Sequence, residues 1–165
     1  IHRGTVQDRA LTSVGHRNLI MAYVHIGHDS IVCSDTILVN NTALAGHVEI
    51  GDWAILSGYT LVHQFCKIGA HSFSGMGTSI GKDVPAFVTV AGSPAEAKTI
   101  NAEGLRRRGF DNGEISELRR AFKILYRQGL TLDVALERLE SMVDETPSVQ
   151  TLIDSLKQSQ RGIVR

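Results

Sequence analysis

The sequence has little of what would place it outside a reducing compartment. Two cysteines among 165 residues cannot build a disulfide framework, and no apolar run is long enough to read as a secretory leader or a membrane span. A cytoplasmic location without stable membrane insertion is the expectation. An excess of one charge is missing too: 17 Lys plus Arg offset 17 Asp plus Glu, so no global field points to nucleic acid or an anionic membrane as a partner. Proline is also scarce, with 3 in the chain. Pro85 and Pro94 fall in one stretch, KDVPAFVTVAGSPA, where their missing N–H groups mark the exit from a strand-rich region.

What is present is a period of six. Val14, Ile20, Ile26, Val32, Leu38, Leu44, Ile50, Leu56, Val62, Ile68, Ser74 and Ile80 are evenly spaced, and all but Ser74 are aliphatic in a chain that is 42% hydrophobic. Neither a helix nor a simple hairpin has that period, so the spacing predicts a repeat that returns the chain to one interior line. Gly15, Gly27, Gly51, Gly69, Gly75 and Gly81 each come one place after a residue of this series, where the coil is expected to turn and a side chain would obstruct. Small or β-branched residues sit four places after it, from Val24 and Ser30 to Thr78 and Val84. The reading is a hexapeptide parallel β-helix over residues 1–93, with three hexads per triangular coil.

Strands in successive coils pair at about 4.8 Å, so residues eighteen apart in sequence stack. Hexads starting at Ile26, Leu44 and Val62 share a side, and their third positions are His28, Gly46 and Gln64. His25, His47 and His63 flank them, so four histidines gather on one edge. His16 and His71 fall on another side, and His2 precedes the regular phase. Between Val6 and Val14 the phase gains two residues, and QDRALTS reads as a surface loop bulging from a corner rather than part of a neighbouring subunit's site.

Residues 94–165 read as a small α-helical domain. Asp111 with Glu114 forms a capping box ahead of Ile115, Leu118, Phe122 and Leu125, and Gly129 is the stop. Thr131 caps a second helix with Leu132, Leu136, Leu139 and Val143 on one face. Thr146 and Pro147 start a third, carrying Val149, Leu152, Ile153 and Leu156. Asn101 to Arg108 links solenoid to helices and sets Arg106, Arg107 and Arg108 in a row.

The stretches IHRGTVQ, NLIMAYVHIGHD, NNTALAGHVEIGD, GYTLVHQFCKIGAH and EGLRRRGF resemble the UDP-N-acetylglucosamine O-acyltransferases, the first enzymes of lipid A synthesis. The resemblance covers almost the whole chain. Because the family has further N-terminal coils and this chain opens at Ile1 in mid-motif, it is expected to be the C-terminal part of such an enzyme. The resemblance implies a left-handed coil, a homotrimer with sites between subunits, and transfer of a 3-hydroxyacyl chain from acyl carrier protein to the 3-hydroxyl of UDP-N-acetylglucosamine, with no cofactor and no metal.

On this resemblance His28, in HIGHD, is the general base, a role neutral imidazole suits near pH 7 and one that contributes roughly 10² to 10⁴ in rate. Asp29 would orient it, although adjacent strand residues usually face opposite ways. His25, His47 and Gln64 would hold the nucleotide sugar and the polar groups of the acyl donor, with His63 near them and His2 in the cleft. Arg107 and Arg108 match uridine-diphosphate contacts, with Asn101 and Glu103 alongside, and guanidinium forks suit phosphate oxygens. Met76 matches the position that measures the acyl tail, so a medium-length chain is expected. Lys67, Lys82 and Arg106 are candidates to receive the acidic carrier protein. Cys33 and Cys66 read as packing residues, since the resembled transfer is direct.

Three other readings are compatible with the residues. One is a related hexapeptide N-acyltransferase of the same pathway, against which the HRGTVQ start and the RRRGF stretch argue. Another is a hydratase resembling the gamma-class carbonic anhydrases, with His25, His28 and His47 on zinc. The third is a scaffold without catalysis.

Overall fold

A computed structural model describes all residues from Ile1 to Arg165. Twelve two-residue strands follow one another at six-residue intervals. They are β1 (Ser13–Val14), β2 (Leu19–Ile20), β3 (His25–Ile26), β4 (Ile31–Val32), β5 (Ile37–Leu38) and β6 (Ala43–Leu44). Then come β7 (Glu49–Ile50), β8 (Ile55–Leu56), β9 (Leu61–Val62), β10 (Lys67–Ile68), β11 (Phe73–Ser74) and β12 (Ser79–Ile80). Two longer strands, β13 (Val88–Ala91) and β14 (Glu96–Ile100), close the solenoid, so strand reaches Ile100, inside the stretch expected to be helical.

Strands β1 to β13 pair in parallel with those a coil away and β14 pairs antiparallel with β13, giving three sheets ordered β1-β4-β7-β10, β14-β13-β11-β8-β5-β2 and β12-β9-β6-β3. The register sets Ile26 against Leu44 and Leu44 against Val62. These three side chains are 0%, 0% and 3% exposed. The product is a left-handed parallel β-helix, triangular in section, with a small helical region after it.

The corners are not made where the sequence suggested. From Arg17 to His71 every sixth residue is a non-glycine with φ between 55° and 65°, so the turn is taken three places after each aliphatic residue. Left-handed φ is costly for such residues, and each coil offsets it with a hydrogen bond between corners. The N–H of His47 donates to the carbonyl of His28 at 2.9 Å, and that of His71 to Asp52 at 2.8 Å. The glycine after the aliphatic residue answers a different need. A Cβ on Gly27 or Gly51 would lie 2.6 Å from backbone of the next coil.

Four helices follow: α1 (Ala102–Arg107), α2 (Asn112–Arg127), α3 (Leu132–Glu140) and α4 (Val149–Lys157). α1 lies in the segment read only as a linker, capped by the Asn101 side chain. α2 and α3 start at the caps read from sequence, Asp111 and Thr131, whose side chains accept from the N–H groups of Glu114 and Val134. α2 packs on β14, and α3 packs on α2 and α4. Asp83 ties the tail to the solenoid. Its buried carboxylate accepts from the N–H of Lys67 at 2.8 Å and from the hydroxyl of Ser159 at 2.7 Å, as well as from the N–H groups of Gln160 and Arg161. No helix is long and apolar enough to cross a membrane.

Candidate active site

His28 and Asp29 stand at the corner between β3 and β4. Asp29 has φ 59°, and this left-handed turn lets neighbouring side chains meet, which strand alternation would forbid. His28 Nδ1 is 2.9 Å from Asp29 Oδ2. The Asp29 side chain has no exposed surface, whereas that of His28 is 46% exposed. Burial alone pushes the Asp29 carboxyl up. Hydrogen bonds from His28 and from the Thr5 hydroxyl and N–H, with the field of His47, outweigh it and hold the group at about 2. An ionised carboxylate only accepts, so His28 Nδ1 is the nitrogen that donates to it.

Thr5, two residues ahead of the stretch read as a surface excursion, holds the carboxylate, and that excursion itself holds the Asp29 backbone. The N–H of Thr5 donates to both Asp29 oxygens at 3.0 Å and its hydroxyl to Oδ2 at 2.8 Å. Arg9 Nη2 donates to the Asp29 carbonyl at 2.7 Å, and the Asp29 N–H to the Thr12 hydroxyl at 2.9 Å. A two-residue phase break shows that something bulges there, but spacing cannot show that it folds back over His28.

The other histidines divide into pairs. His47 lies edge-on to His28 with ring centroids 5.0 Å apart, stacks on Phe65 at 4.5 Å, and places Nδ1 2.7 Å from Asp8 Oδ2. His25 donates from Nδ1 to the Leu44 carbonyl at 3.0 Å, and its ring is 4.8 Å from that of His2. His2, outside the regular phase in sequence, is thus drawn against the edge. With Gly4, Thr5, Gln7 and His28 it lines an open cavity of about 660 Å³. His63 Nδ1 lies 3.1 Å from the Gln64 carbonyl. Together with His25, Ala43, Ala45 and Leu61, His63 borders a groove of about 400 Å³ on the outer face of β3, β6 and β9. Gln64 is exposed, in register with Gly46 and His28. The ligand atoms that come within 4.8 Å of one another belong to His28, Asp29 and His47. That trio leaves out His25, which the zinc reading required.

A second group occupies a different corner, next to β8. Asn101, Glu103, Arg106, Arg107 and Arg108 line a cavity of about 730 Å³ together with Trp53. Asn101 is committed on both sides of its amide: Oδ1 accepts from the Gly104 N–H at 3.1 Å and Nδ2 donates to the His71 carbonyl at 3.0 Å. Glu103 pairs with Arg106 at 3.2 Å and Arg107 at 3.0 Å. Arg108 lies over the Trp53 ring, 5.3 Å from its centroid, and donates from Nη1 to His71 Nδ1 at 3.2 Å. Burial and the Arg108 charge hold His71 down at about 4, so it accepts that bond as a neutral ring. Trp53 and His71 were missed as site residues because only the third dimension brings α1 onto their corner.

Met76 sits at the third corner and is 81% exposed. It is not a core filler. Cys66 is buried, which raises its thiol to about 11, and burial raises Cys33 as well. Neither is a thiolate at neutral pH. One whole side of the prism separates the His28 corner from the Arg108 corner, so within one chain the two groups face different directions.

Comparison with known proteins follows the same lines. A family model described as UDP N-acetylglucosamine O-acyltransferase, domain 2, matches residues 83–164. An acyl-[acyl-carrier-protein]–UDP-N-acetylglucosamine O-acyltransferase of Pseudomonas putida is 67% identical over all 165 residues, which cover 64% of its length. Among solved structures, the UDP-N-acetylglucosamine O-acyltransferase of Moraxella catarrhalis superposes with a TM-score of 0.98 at 46% identity, covering 99% of this chain and 64% of that one. The LpxA structure of Acinetobacter baumannii gives 0.97 at 50% identity, with coverage of 99% and 64%. The chain therefore spans a little under two thirds of the length of the curated relatives it matches.

Proposed function

The chain belongs to the UDP-N-acetylglucosamine O-acyltransferase family, and from that premise we propose that it carries the acyl-transfer centre of such an enzyme. The reaction is transfer of a 3-hydroxyacyl chain from acyl carrier protein to the 3-hydroxyl of UDP-N-acetylglucosamine, the first step of lipid A synthesis. One observation carries it: Nδ1 of the half-exposed His28 lies 2.9 Å from the buried, ionised Asp29 carboxylate, an arrangement in which the neutral imidazole offers Nε2 as a base.

As the sugar hydroxyl attacks the thioester carbonyl, His28 Nε2 takes its proton. The imidazolium that forms is stabilised by the Asp29 carboxylate. When the tetrahedral intermediate collapses, the carbon–sulfur bond breaks and the leaving thiolate takes the proton back from His28. Direct transfer needs no protein nucleophile, which agrees with two protonated thiols.

His2, His25, His47, His63 and Gln64 surround the hydroxyl and the polar groups of the acyl donor. Arg107 and Arg108 take the diphosphate, Glu103 holds Arg107, and Asn101 acts by fixing α1 under them. These groups occupy separate corners, so the site is completed when copies stand side by side, as in a homotrimer. Exposed Tyr23, Tyr59 and Leu61 supply apolar surface for that contact. Met76 measures the acyl tail. Free Cys33 and Cys66 suit the reducing cytoplasm.

The test is an acyl-transfer assay on the protein and its His28→Ala variant, with carrier-protein thioesters and UDP-N-acetylglucosamine. A loss of roughly 10² to 10⁴ in turnover is expected. Undiminished turnover removes His28 as the base.

A further inference from the structure

We infer that Asp8 is a positioning residue, whose carboxylate holds His47 with its proton on Nδ1 and its Nε2 turned to the ligand. The inference rests on the acyl-transfer reading for its consequence, though not for its geometry.

His47 is confined on three sides. Asp8 Oδ2 lies 2.7 Å from Nδ1, the Phe65 ring lies parallel within 16° at 4.5 Å, and the His28 ring stands edge-on at 5.0 Å. Its backbone is pinned as well, with φ 60° and the N–H bonded to the carbonyl of His28. A carboxylate only accepts, so the contact places the proton on Nδ1 and leaves Nε2 as the atom His47 offers. On a neutral ring that atom accepts from a sugar hydroxyl or an amide N–H, both of which an N-acetylated sugar carries.

The support is built into the loop. The N–H groups of Asp8 and Ala10 both donate to the Thr5 carbonyl, at 3.2 Å and 3.1 Å. At the base, a Cβ on Gly4 would fall 2.0 Å from the Leu11 nitrogen, so the two arms of the loop touch. Thr5 and Arg9 bond Asp29, and Asp8 bonds His47. One short loop therefore sets two carboxylate–imidazole pairs, one coil apart: the first removes a proton and the second orients the molecule that gives it up. Partners that orient metal-bound histidines are typically worth about tenfold or more, and an effect of that size is expected for Asp8.

The experiment combines ¹⁵N spectroscopy of the imidazole nitrogens with steady-state acyl transfer, on the protein and on Asp8→Ala, Asp8→Asn, Asp8→Glu, His47→Ala and the Asp8→Ala/His47→Ala double variant. His47 is expected as the Nδ1–H tautomer, and this preference is lost in Asp8→Ala and Asp8→Asn. Both variants should raise KM for the nucleotide sugar about tenfold with a smaller change in kcat. Asp8→Glu should recover part of the loss, and the double variant should be no worse than His47→Ala alone. Additive losses in the double variant, an unchanged KM in Asp8→Ala, or a wild-type His47 without the Nδ1 proton would each overturn the inference. If the wild-type protein transfers no acyl group, the functional reading fails instead, and the imidazole spectrum still decides the pair.

Discussion

The ring of His28 fills the space that a side chain on Gly46 would need: a Cβ there would lie 2.6 Å from His28 Cε1 and Nε2. The glycine is one coil above and leaves room for the imidazole while its Nδ1 meets Asp29. Gly46→Ala should therefore push the ring aside at little cost to stability, because a half-exposed side chain moves more easily than backbone. A misplacement of about 1 Å can cost roughly 10² in rate. We expect kcat to fall at least tenfold with an almost unchanged melting temperature. Unchanged kcat would show that His28 does not depend on this fit.

His71 links stability to pH. Its folded value of about 4 lies below the ordinary 6.5, so the unfolded chain binds the extra proton first. The stability that neutral His71 contributes is complete above pH 6.5 and is lost as pH falls toward 4. His71→Phe keeps the stack with Trp53 and Phe87 and should flatten the stability profile in that window, read by urea titrations at successive pH values. It also removes the acceptor of Arg108, so nucleotide binding should weaken. A profile as steep as wild type would place the titration elsewhere.

Asp83 gathers four donors from the solenoid and the tail. In Asp83→Ala the N–H groups of Lys67, Gln160 and Arg161 and the Ser159 hydroxyl lose that acceptor. Leaving buried groups unpaired costs about 1–3 kcal/mol each, less where water reaches them. A drop of about 2–4 kcal/mol in unfolding free energy is expected. Hydrogen exchange should rise first after Ser159. Uniform exchange along the chain would contradict the latch.

Met76, exposed at its corner, is the residue proposed to measure the acyl tail. Each methylene admitted to an apolar slot is worth about 0.8 kcal/mol. Met76→Gly should shift preference among carrier-protein thioesters toward longer chains, measured as ratios of kcat/KM. A preference that stays put would remove Met76 from the specificity of the reaction.

Much of this molecule is legible in one dimension because a solenoid converts sequence distance into height. A residue and the one eighteen positions later must stack, so Ile26, Leu44 and Val62 line one interior edge, and His28, Gly46 and Gln64 one exterior line, before any coordinate is known. Helix caps are equally local: Asp111 and Thr131 each satisfy an N–H three residues on. What spacing could not decide is everything that depends on a chain segment leaving the repeat and returning to it. The stretch with Asp8, Arg9 and Thr12 reads as surface, yet Arg9 and Thr12 bond the Asp29 backbone and Asp8 meets His47, while Thr5 just ahead of it bonds the Asp29 carboxylate. The corner φ of Asp29, which brings it to His28, runs against the alternation that sequence reasoning assumes. The pairing of Arg108 with His71 and Trp53 exists only because β14 and α1 fold back onto a corner far earlier in the chain. Periodicity is a property of neighbours and repeats, so it determined the coil and the histidine edge. The hydrogen-bond partners and orientation of those histidines depend on contacts between distant residues, and these only the tertiary structure could decide.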